Sequence, residues 1–237
     1  DEITNYFGDG REFGVNMRYF IEETPLGTAG SVKNAEGFLD DSFIVISGDA
    51  LTDINLSTAI AYHKKKKSIA TLVLKEVPVP LEFGVVVTDN DGRVTGFLEK
   101  PSWSEVFSDK VNTGIYILEP EIFSYYEKNQ KFDFSNDLFP ILLNGKRPMY
   151  GYVAEGYWCD IGNIEQYIRC HFDILKSLVD VNIKGEKYKD GIWVGENCEI
   201  STEAKISSPV YIGRGTKIYE KSEIEPYTIL GKNNIIS

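Results

Sequence analysis

The sequence predicts an α/β domain with crossover connections, followed by a left-handed parallel β-helix of hexapeptide repeats. Three observations carry this expectation. Up to about residue 180, short strand-like runs alternate with helical patterns, as in a sheet joined by crossovers. Asn90-Asp91-Gly92 separates two such runs and marks a hairpin, which adds an antiparallel element. Beyond residue 191, Val194, Ile200, Ile206, Ile212, Ile218, Ile224, Leu230 and Ile236 recur at a spacing of six. That period fits neither a helix nor a simple alternating strand, and it fits a triangular coil with one hexapeptide per face.

In chain order, residues 14–21 look strand-like, and a helix is expected near Ser31. Residues 43–47 form a short continuous apolar run, expected to be a strand buried on both faces. A helix follows from about Leu56 and ends in Lys64 to Lys67, where cations suit the negative end of the helix dipole. Residues 68–77, 83–88, 93–98, 113–118 and 149–154 have strand composition. Asn163 opens an amphipathic helix with Gln166 as a capping-box partner, and its apolar stripe runs Ile164, Tyr167, Ile168, Phe172, Leu175 and Val179. Residues 180–191 are polar and lysine-rich and read as a linker. Within the repeats, small or modest residues (Cys198, Ala204, Val210, Thr216, Ser222, Thr228) follow the aliphatic series by four.

The 237 residues are 42% hydrophobic and 13% aromatic, enough to bury a sizeable core. A formal net charge of −11 argues against nucleic acid or an anionic membrane as partner, but not against a phosphorylated small molecule held by local donors and metal ions. No apolar run approaches a membrane span and no signal-peptide pattern opens the chain, so a cytoplasmic location is expected. Cys159, Cys170 and Cys198 form no CxxC pair and read as reduced thiols.

Several motifs could carry chemistry. Glu22-Glu23-Thr24-Pro25-Leu26-Gly27-Thr28-Ala29-Gly30 precedes a helix; its glycines permit close approach of a flat ligand, and a glutamate could accept from the N1–H and 2-amino groups of guanine. The same stretch also reads as a Pro/Gly turn with an ordinary helix start. Ser47-Gly48-Asp49 ends a strand, where a carboxylate can hold a metal ion or cap a turn. Phe97-Leu98-Glu99-Lys100-Pro101 pairs a carboxylate with an ammonium, Asn112-Thr113-Gly114 supplies an amide, and Trp158-Cys159-Asp160-Ile161-Gly162 a second aspartate. Taken singly, each is also compatible with a structural role.

Read in order, LGTAG at 26–30, SGD at 47–49, FG at 83–84, FLEKP at 97–101, NTG at 112–114 and WCDIG at 158–162 resemble the sugar-1-phosphate nucleotidyltransferases. Within that family, LGTAG and the SGDALTDI stretch are most similar to bacterial mannose-1-phosphate guanylyltransferases, including forms that continue into a phosphomannomutase-like domain. The resemblance implies an N-terminally incomplete, Rossmann-like nucleotidyltransferase domain over 1–180, a linker at 181–191 and a truncated β-helix at 192–237. The family's Gly-rich signature has no counterpart here, so the fragment itself is expected to be inactive.

The implied reaction joins a nucleoside triphosphate to a sugar 1-phosphate, GTP and mannose 1-phosphate being favoured, and releases pyrophosphate. Leu26, Gly27, Thr28, Ala29 and Gly30 would line the nucleotide base, with Glu22 or Glu23 reading guanine. Asp49 and Asp160 would hold Mg²⁺ and, with Lys100 on the sugar phosphate, form the catalytic set. Gly84, Glu99, Asn112 and Thr113 would meet the sugar. A glucose-1-phosphate uridylyl- or thymidylyltransferase is the alternative, and a non-catalytic nucleotide-sugar-binding subunit another. Acyl transfer, which other hexapeptide β-helices perform, would need a histidine in or beside the repeats, and both His63 and His171 precede them. A homo-oligomer assembled through the repeat region is a further expectation.

Overall fold

The structure is a computed structural model, and it describes residues 2–78, 80–81, 83–99 and 108–237, residue 99 by its backbone. The chain divides into two compact units, residues 1–46 with 56–154, and residues 47–55 with 155–237. The expected linker at 181–191 therefore falls inside the second unit.

The first unit opens with α1 (Glu2–Phe7), α2 (Gly27–Lys33) and β1 (Phe43–Val45). After β2 (Ala50–Thr52), which belongs to the second unit, come α3 (Leu56–Lys66), β3 (Ala70–Glu76), β4 (Gly84–Thr88), β5 (Val94–Glu99) and β6 (Lys110–Leu118). A 3₁₀ segment (Pro120–Tyr125), a π-turn (Phe134–Leu138), α4 (Phe139–Asn144) and β7 (Met149–Val153) complete it. The sheet runs β5-β4-β6-β3-β7, with β1 also paired to β6. The β3–β7 pair is parallel and the others are antiparallel. The 90–92 hairpin forms between β4 and β5 as expected, with Gly92 at φ +83° and Asp89 Oδ1 accepting from Asp91 N and Arg93 N, both at 2.9 Å. Leu72, Leu74, Leu118, Ile122, Phe134, Leu138, Phe139 and Leu142 centre the core on one sheet face.

Two strand expectations are corrected. Residues 14–21 form no strand: Ile21 is 91% exposed, and β propensity without a partner strand does not hold an extended segment. The run 43–47 is a strand only over Phe43–Val45, and it is not buried on both faces, since Ile44 and Ile46 are 36% and 48% exposed. Among the described residues β1 pairs only with β6, so one edge and much of one face stay open.

The second unit comprises β2, β8 (Trp158–Asp160), α5 (Ile164–Leu175), β9 (Glu186–Lys189) and the repeats. Asn163 caps α5, its Oδ1 accepting from Gln166 N at 2.8 Å. The Gln166 side chain does not return to complete a capping box; its Oε1 accepts from Cys159 Sγ at 3.5 Å. The expected apolar stripe is only half right. Leu175 and Val179 are 4% exposed, whereas Ile164, Tyr167 and Ile168 are 78%, 54% and 46% exposed. Cys170 and Asp173 are buried instead, Asp173 accepting from the Tyr157 hydroxyl at 2.8 Å. Residues within the expected linker form β9, antiparallel to β10 (Ile192–Val194).

The repeats give β10, β11 (Glu199–Ile200), β12 (Lys205–Ile206), β13 (Val210–Ile212), β14 (Lys217–Ile218), β15 (Glu223–Ile224), β16 (Ile229–Leu230) and β17 (Ile235–Ile236). They pair in parallel with an 18-residue offset, as Ile192↔Val210, Ile200↔Ile218 and Ile206↔Ile224, so three hexapeptides make one turn and three ladders result. Val210, Ile212, Ile218 and Ile224 form the inner core, with Cys198 and Ala204 of the small series packed against it. Left-handed backbone recurs at Gly191, Asn197, Gly215, Lys221, Tyr227 and Asn233, positions six apart or a multiple of six, between successive strands of the repeats.

One buried polar group ties the first unit together. His63, 1% exposed in α3, lies 2.8 Å from Thr71 Oγ1 through Nδ1 and 2.8 Å from Glu119 Oε1 through Nε2. Ser42 Oγ donates to the same Glu119 oxygen at 2.6 Å. Replacing His63 with Ala leaves Thr71 and Glu119 short of a partner and opens a cavity, so urea denaturation should report a loss of about 2–4 kcal/mol. An unfolding midpoint equal to that of the wild type would show that this network contributes nothing.

Candidate active site

Strands β2 and β8 form an antiparallel ribbon with Ala50 opposite Asp160, and Ile161 N donates to Asp49 O at 3.0 Å. The two expected metal carboxylates, far apart in sequence, thus sit on adjacent backbone at one end of one ribbon. Ser47 Oγ donates to Asp49 Oδ1 at 2.5 Å and holds that carboxylate. Asp53 staples the other end: its Oδ1 accepts from Tyr157 N at 2.5 Å and its Oδ2 from Asp180 N at 2.9 Å. Gly156, at φ +102°, makes room for this, since a Cβ there would meet Asp53 Oδ1 at 2.7 Å. Two carboxylates suit Mg²⁺, a hard cation that takes one or two protein carboxylates and fills its shell with water and substrate phosphate. Among the described residues no cluster of three or more His, Cys, Asp or Glu side chains offers a fuller protein cage.

The 22–30 segment lies in the first unit, and its helix starts at Gly27, earlier than the expected position near Ser31. The start is fixed by the chain at 130–132: Ala29 N and Gly30 N donate to Phe132 O at 3.0 and 2.9 Å, and Phe132 N donates to Leu26 O at 2.8 Å. A Cβ at Gly27 would meet Phe132 O at 2.7 Å, and one at Gly30 would meet Gln130 O at 2.5 Å. These glycines thus admit the protein's own backbone. Thr28 Oγ1 donates to Asp133 Oδ2 at 2.6 Å and accepts from Phe134 N at 3.0 Å. Glu22 is half-buried and accepts from Leu26 N at 3.2 Å, whereas Glu23 is exposed.

The backbones of Glu99, Gly84 and Asn112 lie side by side across three adjacent strands, β5, β4 and β6. Gly84 pairs with Glu99, and Val85 pairs with Val111, which brings Asn112 beside Gly84 on the next strand. Asn112 is already oriented: Nδ2 donates to Tyr116 Oη at 2.8 Å and Oδ1 accepts from Gly114 N at 3.1 Å. Thr113 departs from the expectation. It is 3% exposed and its hydroxyl donates to Val73 O at 2.8 Å, clasping the irregularity between Leu72 and Leu74 rather than facing outward. Lys100 lies outside the described residues.

Residues 1–177 match the family model described as Nucleotidyl transferase. The chain belongs to that family. It is 37% identical over 252 residues to a UTP–glucose-1-phosphate uridylyltransferase of Synechocystis, covering 100% of this chain and 65% of the relative. It is 32% identical to a mannose-1-phosphate guanylyltransferase of Mycobacterium tuberculosis, covering 90% of this chain and 59% of the relative. The chain therefore spans less than two thirds of these relatives. Among solved structures, HddC from Yersinia pseudotuberculosis complexed with GMP-PN superposes with a TM-score of 0.59 at 28% identity, over 71% of this chain and 72% of that one. Its Rossmann-like α/β architecture is thereby shared with structural neighbours. No helix among the described residues of this family member is long and apolar enough to cross a membrane.

Three supporting residues of this family member escape a motif reading. Ser47 was legible only as part of SGD, Asp53 looks like any strand-end carboxylate, and Asp133 shows only a helix-cap pattern before Phe134. Of these, Asp53 carries the ribbon that holds Asp49 and Asp160. Asp53→Ala should cost about 1–3 kcal/mol, chiefly for the part-buried Tyr157 amide left unpaired, since water can reach the exposed Asp180 amide, read as a fall in thermal midpoint. An unchanged midpoint would refute the staple.

Proposed function

We propose that the protein transfers a nucleotidyl group from a nucleoside triphosphate to a hexose 1-phosphate, releasing pyrophosphate, with GTP and mannose 1-phosphate as the preferred pair. The observation that carries the chemistry is the ribbon with Asp49 and Asp160 on adjacent backbone. The preference for guanine rests on Glu22, whose carboxylate is held in place by Leu26 N, so that less ordering is needed to receive the two donors of the base edge. The Mycobacterium relative and the GMP-PN complex of HddC support it.

The sugar phosphate oxygen is ionised at neutral pH and needs no general base. Mutual repulsion of anions and charge accumulating on the transferred phosphate oppose the reaction. Asp49 and Asp160 would hold Mg²⁺, which when bound neutralises phosphate charge. Lys100 would place a point charge on the nucleophile's phosphate, while Glu99 and Asn112 hold sugar hydroxyls and Gly84 lets the ring approach the backbone. The three ladders of the repeat region read as a left-handed β-helix, an assignment supported by the 18-residue offset and the left-handed corners.

A second reading, UTP with glucose 1-phosphate, is favoured by the 37% identity to the Synechocystis relative. Pyrophosphate release by the full-length protein, offered each triphosphate with mannose or glucose 1-phosphate, separates the two. Glu22→Gln should weaken GTP use by about tenfold or more while sparing UTP, the scale of one charged hydrogen bond. Equal loss with both triphosphates would remove Glu22 as base reader. Asp49→Asn should lower turnover by about 10²-fold or more, with Mn²⁺ binding reduced in calorimetry; normal turnover and normal Mn²⁺ binding would sink the metal assignment.

A further inference from the structure

The segment at 130–137 touches two parts of the candidate site. Through Phe132 and Asp133 it clamps the 26–30 segment, and through Ser135, at the second position of the π-turn, it reaches Asn112 on β6. Asn112 Nδ2 donates to Tyr116 Oη at 2.8 Å and to Ser135 Oγ at 3.4 Å, while Oδ1 accepts from Gly114 N at 3.1 Å. Both hydrogens of the amide are therefore spent on protein hydroxyls. What Asn112 retains for a ligand is a lone pair on Oδ1, an acceptor and not a donor.

Ser135 holds the complementary group. Its hydroxyl accepts from Asn112 and, among the described residues, has no acceptor for its own hydrogen. Other serines of the first unit differ: Ser31 Oγ donates to Gly27 O at 2.5 Å, and Ser68 Oγ to Ala70 O at 2.7 Å. The turn does not need the Ser135 hydroxyl either. Asp133 Oδ1 accepts from Ser135 N at 2.9 Å and from Asn136 N at 3.0 Å, and Asp137 Oδ2 accepts from Asp133 N at 2.8 Å. None of these bonds involves the serine side chain. The position is half-buried, and its neighbour Phe134 packs on Tyr116 with ring centroids 5.2 Å apart.

We propose that Ser135 is a further substrate-binding residue, whose hydroxyl donates to a hydroxyl oxygen of the hexose. A sugar hydroxyl both gives and takes a hydrogen. It can give its hydrogen to Asn112 Oδ1 and take one from Ser135 Oγ, two needs that Asn112 alone does not meet in this rotamer. The bond from Asn112 Nδ2 into Ser135 polarises the serine hydroxyl and strengthens the bond that it donates. Asp133 of the same turn accepts from Thr28 Oγ1 at 2.6 Å, so Ser135 is tied to the segment that precedes and opens α2. A sugar donor fixed in this way lowers the ordering cost of binding a nucleotide sugar. The assignment rests on the sugar role proposed above for Asn112.

The test titrates the full-length protein, with Mg²⁺ present, against GDP-mannose, UDP-glucose, GDP and UDP in a calorimeter. Ser135→Ala should weaken the preferred nucleotide sugar about fivefold or more, the scale of one neutral hydrogen bond, and leave its parent nucleoside diphosphate unchanged. Unaltered diphosphate affinity also reports that the variant is folded. Unchanged nucleotide-sugar affinity in Ser135→Ala overturns the proposal, and so does an equal loss with the diphosphate. Asn112→Ala isolates the sugar role on which Ser135 depends. If it weakens the nucleotide sugar and Ser135→Ala does not, Ser135 is struck and Asn112 stands. If Ser135→Ala alone weakens it, Ser135 stands and Asn112 loses its sugar contact. No binding of either nucleotide sugar by folded wild-type protein overturns the proposed function and the role of Ser135 together.

Discussion

Strand β6 is paired on both of its edges, and the first unit is arranged around it. One edge takes β3 from Ala70 to Glu76, apart from the irregularity at Leu72/Leu74. The other edge is shared, with β1 beside residues 116–118 and β4 beside Val111. Because buried backbone donors and acceptors must pair, this division leaves little freedom in where β4 and β5 can lie. Asn112, Gly84 and Glu99 are brought side by side across β6, β4 and β5 as a consequence. The irregularity is itself stabilised, since Thr113 donates to the carbonyl of Val73 inside it.

In the second unit the corresponding constraint is local. A ribbon of two three-residue strands is too short to persist alone. It is held by Asp53, which accepts from two amides of separate segments, and by the Tyr157–Asp173 hydrogen bond to α5. The residues that fix the geometry of the two aspartates are thus other polar side chains, not an apolar core.

Much of this was legible in the sequence wherever the signal is periodic or local. The spacing of six, the hairpin at 90–92 and the Asn163 cap each depend on residues close together in the chain, and each formed. Residues 14–21 and 43–47 were misjudged because strand formation depends on a partner that composition does not reveal. The stripe on α5 departs from expectation for a related reason: its buried face includes Asp173, hydrogen-bonded to the Tyr157 hydroxyl outside the helix, and leaves Ile164, Tyr167 and Ile168 exposed. At the candidate site the motif residues were recognisable, but the purpose of Gly27 and Gly30 was not. Their neighbour is a carbonyl about a hundred residues away, which no local pattern announces. The same distance hid Asp133 as the anchor of Thr28.

The 18-residue offset of the repeats restricts how this region can change in length. Adding or removing 18 residues inserts or deletes a whole turn and keeps every outward column intact, such as Trp193, Tyr211 and Ile229. A change of six preserves the inward series but rotates everything beyond it by one face, so that apolar and charged columns exchange places. Lys217, ion-paired with Glu199, would then continue a column of different chemistry. A change that is not a multiple of six drives the aliphatic series out of the core. Growth of this region is therefore quantised, with duplication of complete turns the one change in length that leaves both its interior and its surface in register.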